Sequence, residues 1–508
     1  MISAASLPFL GFALAVLLAQ ILAPGRIRAS ILFPIANFCF LYMVMPDWKA
    51  MLLLIGFLVL SYITIWTAAR KKRLMFTCAL VTVLLYFAWV KGYPIFAELP
   101  IYSHMPVVIG LSYILIRSLQ VAIDTYEGTL PIPLSPWRLF NFVCCWPMLL
   151  SGPIQSYQKF DTQQRDLPTF RLTGYVFSKS LARLAWGLFS VIVLADQALN
   201  IHSQANECSV RDCASQSMSA TLGLPQSYLD HSSLIDWLFA PGVLSKLITG
   251  TGSYPLIMLA ISQMGYLIYL YLNFSGYTHI VIGVGGFMGL KLPENFNRPW
   301  ASKSFLDLWT RWHMTLANWF KAYVFNKVVS KLLRSWPSKT MTPYYAVIAF
   351  FVTFFLVGVW HGPTWPYFLC GFGLGVGVSV NKLWQLQFRK RFGKKAEAWI
   401  SSIAAYEALS GALALAYLAV TIIPFWTNKD EIVKMSFSYG LFGLVLSYFI
   451  MAVMIYPVIY FYQSTESHAD RFIAFMRNPW FVGIVLAATC IYLFFTPDVD
   501  VKSVYQGF

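Results

Sequence analysis

The chain has 508 residues, 58% of them hydrophobic and only 11% charged, with a net charge of +16 and a mean hydropathy of +0.62. Soluble domains carry about 25% charged residues, so this composition excludes a soluble enzyme and predicts an all-α polytopic membrane protein. The positive balance does not indicate a nucleic-acid partner, because the cations gather in short loops between apolar runs.

Runs approaching the roughly 20 apolar residues needed to cross a bilayer occur at 6–23, 30–46, 49–69, 74–90, 106–123, 174–200, 253–272, 344–360, 364–383, 402–424, 436–461 and 479–496. The first has no basic residue before it and no small-residue cleavage site after it, so a retained helix is expected rather than a signal peptide. Shorter apolar stretches at 137–150 and 277–290 are expected to be re-entrant or partly buried, covered by protein rather than lipid. Arg26 and Arg28, then Arg70, Lys71, Lys72 and Arg73, then Arg389, Lys390, Arg391, Lys394 and Lys395 mark loops that stay on the cytoplasmic side. That assignment puts the N-terminus, a polar 201–250 loop and the 497–508 tail outside. Cys208 and Cys213 in that loop invite a disulfide if the compartment is oxidising. Cys144, Cys145, Cys370 and Cys490 lie in apolar runs and read as small buried hydrophobes. No cysteine spacing suits zinc, and no acidic cluster marks a metal site. Without linker, repeat or low-complexity tract, residues 1–508 read as a single membrane domain.

The segment 291–340 interrupts this pattern. Nine cations stand against Glu294 and Asp307, a net charge of +7, interleaved with Phe296, Trp300, Phe305, Trp309, Trp312, Trp319, Phe320, Tyr323 and Phe325. Helical spacing from Phe305 to Tyr323 predicts an amphipathic helix at the inner interface. Its cations suit anionic lipid headgroups, or an anionic donor such as coenzyme A or an acidic carrier protein. Arg311 either meets a donor phosphate or pairs with Asp307 one turn earlier. Asn295 and Asn297 have a turn-chemistry reading beside a binding one.

Two Trp–His pairs stand out. Trp312–His313 lies in the basic segment; Trp360–His361 lies in a stretch, 340–381, without a single Asp, Glu, Lys or Arg. A titratable ring at membrane depth is costly and is a functional candidate by default. His279 meets the same criterion within 247–290, and a packed structural histidine is the commoner outcome for such a residue. Gly358, Gly362 and Pro363 distinguish His361, since they predict a broken or closely packed helix of the kind that builds membrane sites. His104, His202, His231 and His468 fall in expected loops and are given no chemistry. Gly283-Val-Gly-Gly286 reads as close helix packing rather than a phosphate loop.

Asn273-Phe-Ser-Gly-Tyr277, Gly289-Leu-Lys-Leu-Pro-Glu-Asn-Phe-Asn-Arg-Pro299, Trp309-Thr-Arg-Trp-His-Met-Thr-Leu316 and Gly358-Val-Trp-His-Gly362, in this order, resemble the signature of bacterial membrane-bound O-acyltransferases. Ile109-Gly-Leu-Ser-Tyr113 with Asp124-Thr-Tyr126, and Ser151-Gly-Pro-Ile154, resemble two earlier landmarks. The pattern is most similar to the alginate O-acetyltransferase and teichoic-acid D-alanyl transfer branches. Asp is common in the family where Asn273 and Ala322 stand, a usual Leu-Gly-Gly is missing near Val328, and Gly375 replaces a common third histidine; these departures leave the branch open.

The resemblance implies a bundle of about 11–13 transmembrane or re-entrant helices around a central funnel and tunnel, in a bacterial cytoplasmic membrane. It implies that His361 is catalytic, that His313 has a direct role, and that Trp312, Arg311, Trp360, Asn273 and Ser275 line the substrate tunnel. Acyl-CoA or an acyl-carrier protein is the implied donor substrate, with no bound cofactor or metal. An exported polysaccharide or envelope glycan is the implied acceptor, reached directly or through a periplasmic transferase partner. An unperturbed imidazole, with a pKa near 6.5, is mostly neutral at pH 7 and suits general-base removal of a hydroxyl proton. D-alanyl transfer to teichoic acid, a transporter with a histidine proton relay, and a non-catalytic acyl-conducting scaffold are the competing readings.

Overall fold

The computed structural model describes residues 5–96, 106–130, 134–150, 152–214, 253–464 and 478–496, and the regular elements among them are helices, with no strand. The chain opens with α1 (Leu7–Leu22), α2 (Gly25–Val44), α3 (Trp48–Ala69) and α4 (Arg73–Lys91). Leu14, Leu18, Phe38, Leu52, Val59 and Leu85 on these helices are exposed, as a lipid-facing surface requires. Asp47 caps α3 by accepting from the Lys49 amide at 2.9 Å.

Next, α5 (Leu111–Glu127) runs through the protein interior. Its buried Arg117 donates to the carbonyls of Val143 at 3.0 Å and Met148 at 2.7 Å. Those oxygens belong to the short helices α6 (Pro136–Val143) and α7 (Trp146–Leu149), so 141–149 is covered by protein, as expected, whereas Trp137 at the start of the stretch is exposed. After α8 (Tyr157–Asp166), α9 (Gly174–Phe189) passes through a π-helical turn at Ser190–Leu194 into α10 (Ala195–Ala214).

That continuation corrects three expectations. The outer loop does not begin at 201, because 201–214 is helix; 215–252 lie outside the described residues. His202 is not a loop residue: it is buried on α10, with Nδ1 2.9 Å from the Ser262 carbonyl and its ring 4.7 Å from Trp426. Cys208 and Cys213 are five residues apart on one helix, which separates their Cα atoms by roughly 8–9 Å, beyond the roughly 7 Å a disulfide spans.

The long α11 (Ser253–Phe287) replaces the expected pair of a span and a re-entrant stretch at 277–290. Its polar residues do not end it because they face protein: Asn273, Ser275 and Thr278 are all buried. Gly283 and Gly286 bring it against α9, where added Cβ atoms would meet Ser180 at 2.8 and 2.4 Å.

The basic segment is not one interfacial helix. It forms α12 (Phe305–Leu308), a turn, then α13 (Met314–Phe320), a π-helical stretch Lys321–Phe325 and α14 (Asn326–Ser335). Phe305, Leu308, Trp312, Leu316, Trp319 and Phe320 are buried in the cores, and the π-helical stretch and α14 have no buried residue. From Met314 to Ser335 the chain is a near-continuous helical rod of roughly 33 Å. One end lies at the basic surface and the other deep in the protein.

The last part comprises α15 (Thr342–His361), α16 (Trp365–Ile400, bent at Gly393), α17 (Ala404–Thr421), α18 (Lys429–Ser464, bent at Gly440) and α19 (Pro479–Phe495). Among the described residues eight helices are long and apolar enough to cross a membrane, and Leu7–Leu22 and Phe481–Phe494 are shorter apolar helices. With α5 and α16 threading the bundle, this is a multi-pass all-α membrane protein. Cys144, Cys145 and Cys370 are buried as expected, whereas Cys490 is exposed. His104, His231, His468, Ser151 and the 497–508 tail lie outside the described residues.

Two large hydrophobic cores, one built mainly on α1–α8 and one on α11 to α18, flank a small third cluster. That cluster joins Tyr113 and Ile116 of α5, Leu316, Trp319 and Phe320 of α13, and Val357 and Trp360 of α15. One surface collects the basic loops: Lys71 approaches Gly128 after α5, and Lys327 of α14 pairs with Glu127. Both α4 and α15 start near that surface and run about 28 Å across the bundle, which puts Lys91 and His361 together at the far level.

Candidate active site

His361 is the last residue of α15. The helix stops there because Gly362 turns extended and Pro363 has no amide hydrogen to continue the ladder. One turn earlier the backbones of α15 and α16 touch: a Cβ on Gly358 would lie 2.3 Å from the Gly371 Cα. Gly362 is equally constrained, since a Cβ there would sit 2.3 Å from the Tyr367 ring. The expected broken, closely packed helix is therefore present. It holds a ring only 6% exposed, between Trp360 at 4.9 Å and Phe425 at 5.1 Å. Trp360 is fixed in turn by donating its indole N–H to the Ser112 carbonyl at 3.2 Å and by an edge contact with Tyr113. The Tyr93 hydroxyl donates to the Val359 carbonyl, two residues before His361.

His313 reaches the same place by a different route. It is 3% exposed and adopts the left-handed conformation, φ 42°, uncommon for any residue but glycine. A strap from the preceding loop holds it there. The Asn297 amide donates to the Arg311 carbonyl at 2.8 Å, and the Met314 amide donates to the Asn295 carbonyl at 2.8 Å. The wholly buried Asn295 side chain accepts from the Thr315 hydroxyl at 2.5 Å and donates to Thr278 Oγ1 at 3.4 Å. Thr315 also accepts from the Ile154 amide at 3.0 Å, tying in the segment before α8. The turn-chemistry reading of Asn295 and Asn297 describes what they do here. Phe274 of α11 packs edge-on against the His313 ring at 4.6 Å.

His313 and His361 lie within electrostatic reach of each other, and the Lys91 ammonium acts on His361. Segments 48 residues apart thus bring two buried imidazoles within electrostatic reach of each other, each packed against its own aromatic rings. Trp312 lies 5.2 Å from Phe296, and Asn273 and Ser275 are buried beside Phe274 on α11. Arg311 is directed elsewhere: its Nε donates to Asp307 Oδ2 at 2.9 Å, the Asp307 pairing of its two expected roles. His279 lies apart from the pair, with Nδ1 3.0 Å from an Arg183 guanidinium nitrogen that also binds Glu294.

A cleft of about 410 Å³ opens beside this centre, with Lys159, Lys291, Asn318 and Trp319 on its walls and Thr315, two residues from His313, in its lining. A larger cleft between α16 and α17, of about 580 Å³, contains neither histidine. Lys91, Tyr93, Phe425 and the Asn295–Thr315 clamp were not singled out from the sequence. Lys91 and Tyr93 stand at the end of an apolar run, and the clamp is a long-range contact without a local signal.

The family model for MBOAT, the membrane-bound O-acyltransferase family, matches residues 249–423, a segment holding both histidines, the strap and Phe425. Residues 249–423, about a third of the chain, form a membrane-bound O-acyltransferase family domain. Among curated members, it is 26% identical over 297 residues to the teichoic acid D-alanyltransferase of Bacillus subtilis, covering 58% of this chain and 64% of that protein. It is 24% identical over 280 residues to the probable alginate O-acetylase of Azotobacter vinelandii, 55% of this chain and 45% of that protein. It is also 24% identical over 311 residues to the peptidoglycan O-acetyltransferase of Helicobacter pylori, 56% and 50% respectively. The matches thus span between about half and two thirds of these O-acyltransferase relatives.

Proposed function

We propose that this protein is an acyltransferase that moves a short acyl group, acetyl foremost, from a thioester donor to hydroxyls of an exported polysaccharide or cell-envelope glycan. The observation that supports this reading is that His313 and His361, both buried, lie within electrostatic reach of each other, each held by its own backbone device. Acyl-CoA or an acyl-carrier protein approaches from the basic surface, taken as the cytoplasmic face of the inner membrane, through the cleft carrying Lys159 and Lys291. The acceptor arrives from the far side, where α4 and α15 end, and the product leaves on that side directly or through a partner transferase.

In this mechanism His361 takes the proton of the acceptor hydroxyl as its oxygen attacks the thioester carbonyl. A new C–O bond forms, the C–S bond breaks, and the proton passes from the imidazolium to the departing thiolate. General-base help of this kind contributes about 10²–10⁴-fold. His313, on the donor side, orients the carbonyl and offers a hydrogen bond as negative charge develops on its oxygen. The apolar walls exclude water, which would otherwise hydrolyse the thioester. D-alanyl transfer is the second reading, favoured by the similarity to a teichoic acid D-alanyltransferase; it uses the same histidines with another donor.

The test is a reconstituted vesicle with labelled acetyl-CoA, or in parallel a D-alanyl-loaded carrier protein, on one side and glycan acceptor on the other. Label ester-linked to acceptor in the wild type and not in His361→Ala is the expected result, and the active donor selects the branch. Label that crosses without becoming esterified contradicts the reading and indicates a transporter.

A further inference from the structure

The cleft of about 580 Å³ between α16 and α17 holds neither histidine, and a bend in α16 builds one end of it. Gly393, on the left-handed side of backbone space at φ 80°, interrupts the helix and folds its last turns back. In a straight helix Arg389 and Glu397 would stand roughly 12 Å apart. The bend lets them pair, with Arg389 Nη2 donating to Glu397 Oε1 at 2.9 Å. Glu397 and Ile400 are thereby set in the lining of the same cleft as Trp384 and Phe388.

The lining is graded from polar to apolar. Gln387 donates to the Tyr344 hydroxyl at 3.4 Å, which places this end of α16 beside the start of α15, at the basic surface. There the cleft carries Ser401, Tyr406 and the Lys303–Glu407 ion pair, 2.7 Å between Nζ and Oε1. Inward along both helices it passes Trp384, Val380, Leu409 and Leu413 to end on Val376 and Ala414. Val380, Trp384 and Leu409 are exposed, so the cleft opens sideways, toward the lipid face. From Val376 to Phe388 it follows α16 for about 18 Å, close to the ~15 Å of hydrocarbon in one leaflet.

The mouth has one dominant charge. From Lys382 to Ile400 six cations stand against Glu397, and Lys390, Arg391, Lys394 and Lys395 are exposed around the bend. Retention of a loop on the cytoplasmic side accounts for cations in such a place. It does not account for a bend that closes an apolar cleft beneath them. A slot of one leaflet's depth, ending at a cluster of cations, complements a molecule with an acyl chain and an anionic head.

We propose that this cleft binds an anionic phospholipid of the surrounding membrane. One acyl chain lies between α16 and α17, and the phosphate-bearing head sits among the cations of the bend. The site stands apart from the two histidines and does not rest on the acyl-transfer reading.

The test counts the lipid that the full chain retains. The protein is reconstituted in bilayers of equal phosphatidylglycerol and phosphatidylethanolamine with identical chains, re-extracted and washed in detergent, and its lipid is quantified by mass spectrometry. The wild type keeps phosphatidylglycerol in about tenfold or greater excess, because clustered cations at a membrane surface favour an anionic head. Replacing Lys390, Arg391, Lys394 and Lys395 together by Gln, a change confined to exposed side chains, cuts the excess to about twofold or less. Val380→Trp and Ser410→Phe fill the cleft and release the retained phosphatidylglycerol while the chain stays monodisperse. Lys72→Gln combined with Arg73→Gln, in another basic loop, leaves it in place.

Equal retention of the two lipids by the wild type overturns the proposal. So does an undiminished excess in the four-residue variant, or full retention in both filled variants. A loss in the Lys72 and Arg73 variant as large as in the bend variant also overturns it, since that marks a general effect of charge.

Discussion

His279 and His361 both lie in helices within stretches lacking Asp, Glu, Lys and Arg, 247–290 and 340–381, yet their neighbourhoods differ in kind. Arg183 from α9 reaches His279 across the helix interface and is itself held by Glu294. The imidazole there closes a polar network that braces the loop leading to Asn295. His361 instead ends its helix, among aromatic faces, with a second histidine and a lysine acting in the same space. Burial of a titratable ring within apolar sequence does not by itself mark chemistry. The groups that other chain segments bring to the ring decide whether it braces or reacts.

The sharpest way to break this contrast is to delete each ring. His361→Ala is expected to lower label transfer by about 10²–10⁴-fold, with the protein still inserted and monodisperse. His279→Gln is expected to keep transfer within about threefold while losing roughly 1–3 kcal/mol of stability as Arg183 forfeits a partner, read as a lower unfolding temperature in detergent. The reverse pattern would assign the chemistry to the wrong histidine.

A smaller but more discriminating effect is expected at His313. Asn tolerates the left-handed backbone, so His313→Asn preserves the turn and removes only the imidazole. Turnover should fall by about 10²-fold in this variant; near-normal turnover would mean that the backbone turn, not the ring, matters. Asn295→Ala comes next, with kcat about tenfold lower, because loss of the Thr315 clamp lets His313 drift, and misplacement by ~1 Å costs up to about 10²-fold. The smallest change is Gly371→Ala, which pushes α16 away from Gly358 at a cost of about 1–3 kcal/mol and is read by thermal unfolding with transfer followed in parallel.

Local sequence carried a good deal of this architecture. The apolar runs located most helices, the Gly358–Pro363 cluster located the chain break, and the Trp–His pairs located both rings. The errors have a common physical origin. Helical spacing from Phe305 to Tyr323 suggested one interfacial helix, but Asn295 and Asn297 draw 311–314 into a strap and force His313 left-handed. No periodicity reports that pairing across the chain. Likewise 277–290 was too short an apolar stretch to span on its own, yet α11 runs into it because Thr278 meets the strap and Gly283 and Gly286 pack on α9. Lys91 was legible only as a cation after an apolar run; its significance depends on α4 and α15 ending at one level.

The claim at the centre of this account is that His313 and His361 act as one unit. A double-mutant cycle on label transfer, comparing His361→Ala, His313→Asn and the double variant, tests it directly. If the two rings serve a single transition state, the double variant is no slower than His361→Ala within about threefold, because removal of one ring already disables the other's contribution. Losses that multiply, so that the double variant falls by the product of the two single effects, would contradict a shared centre and separate the two histidines into independent sites.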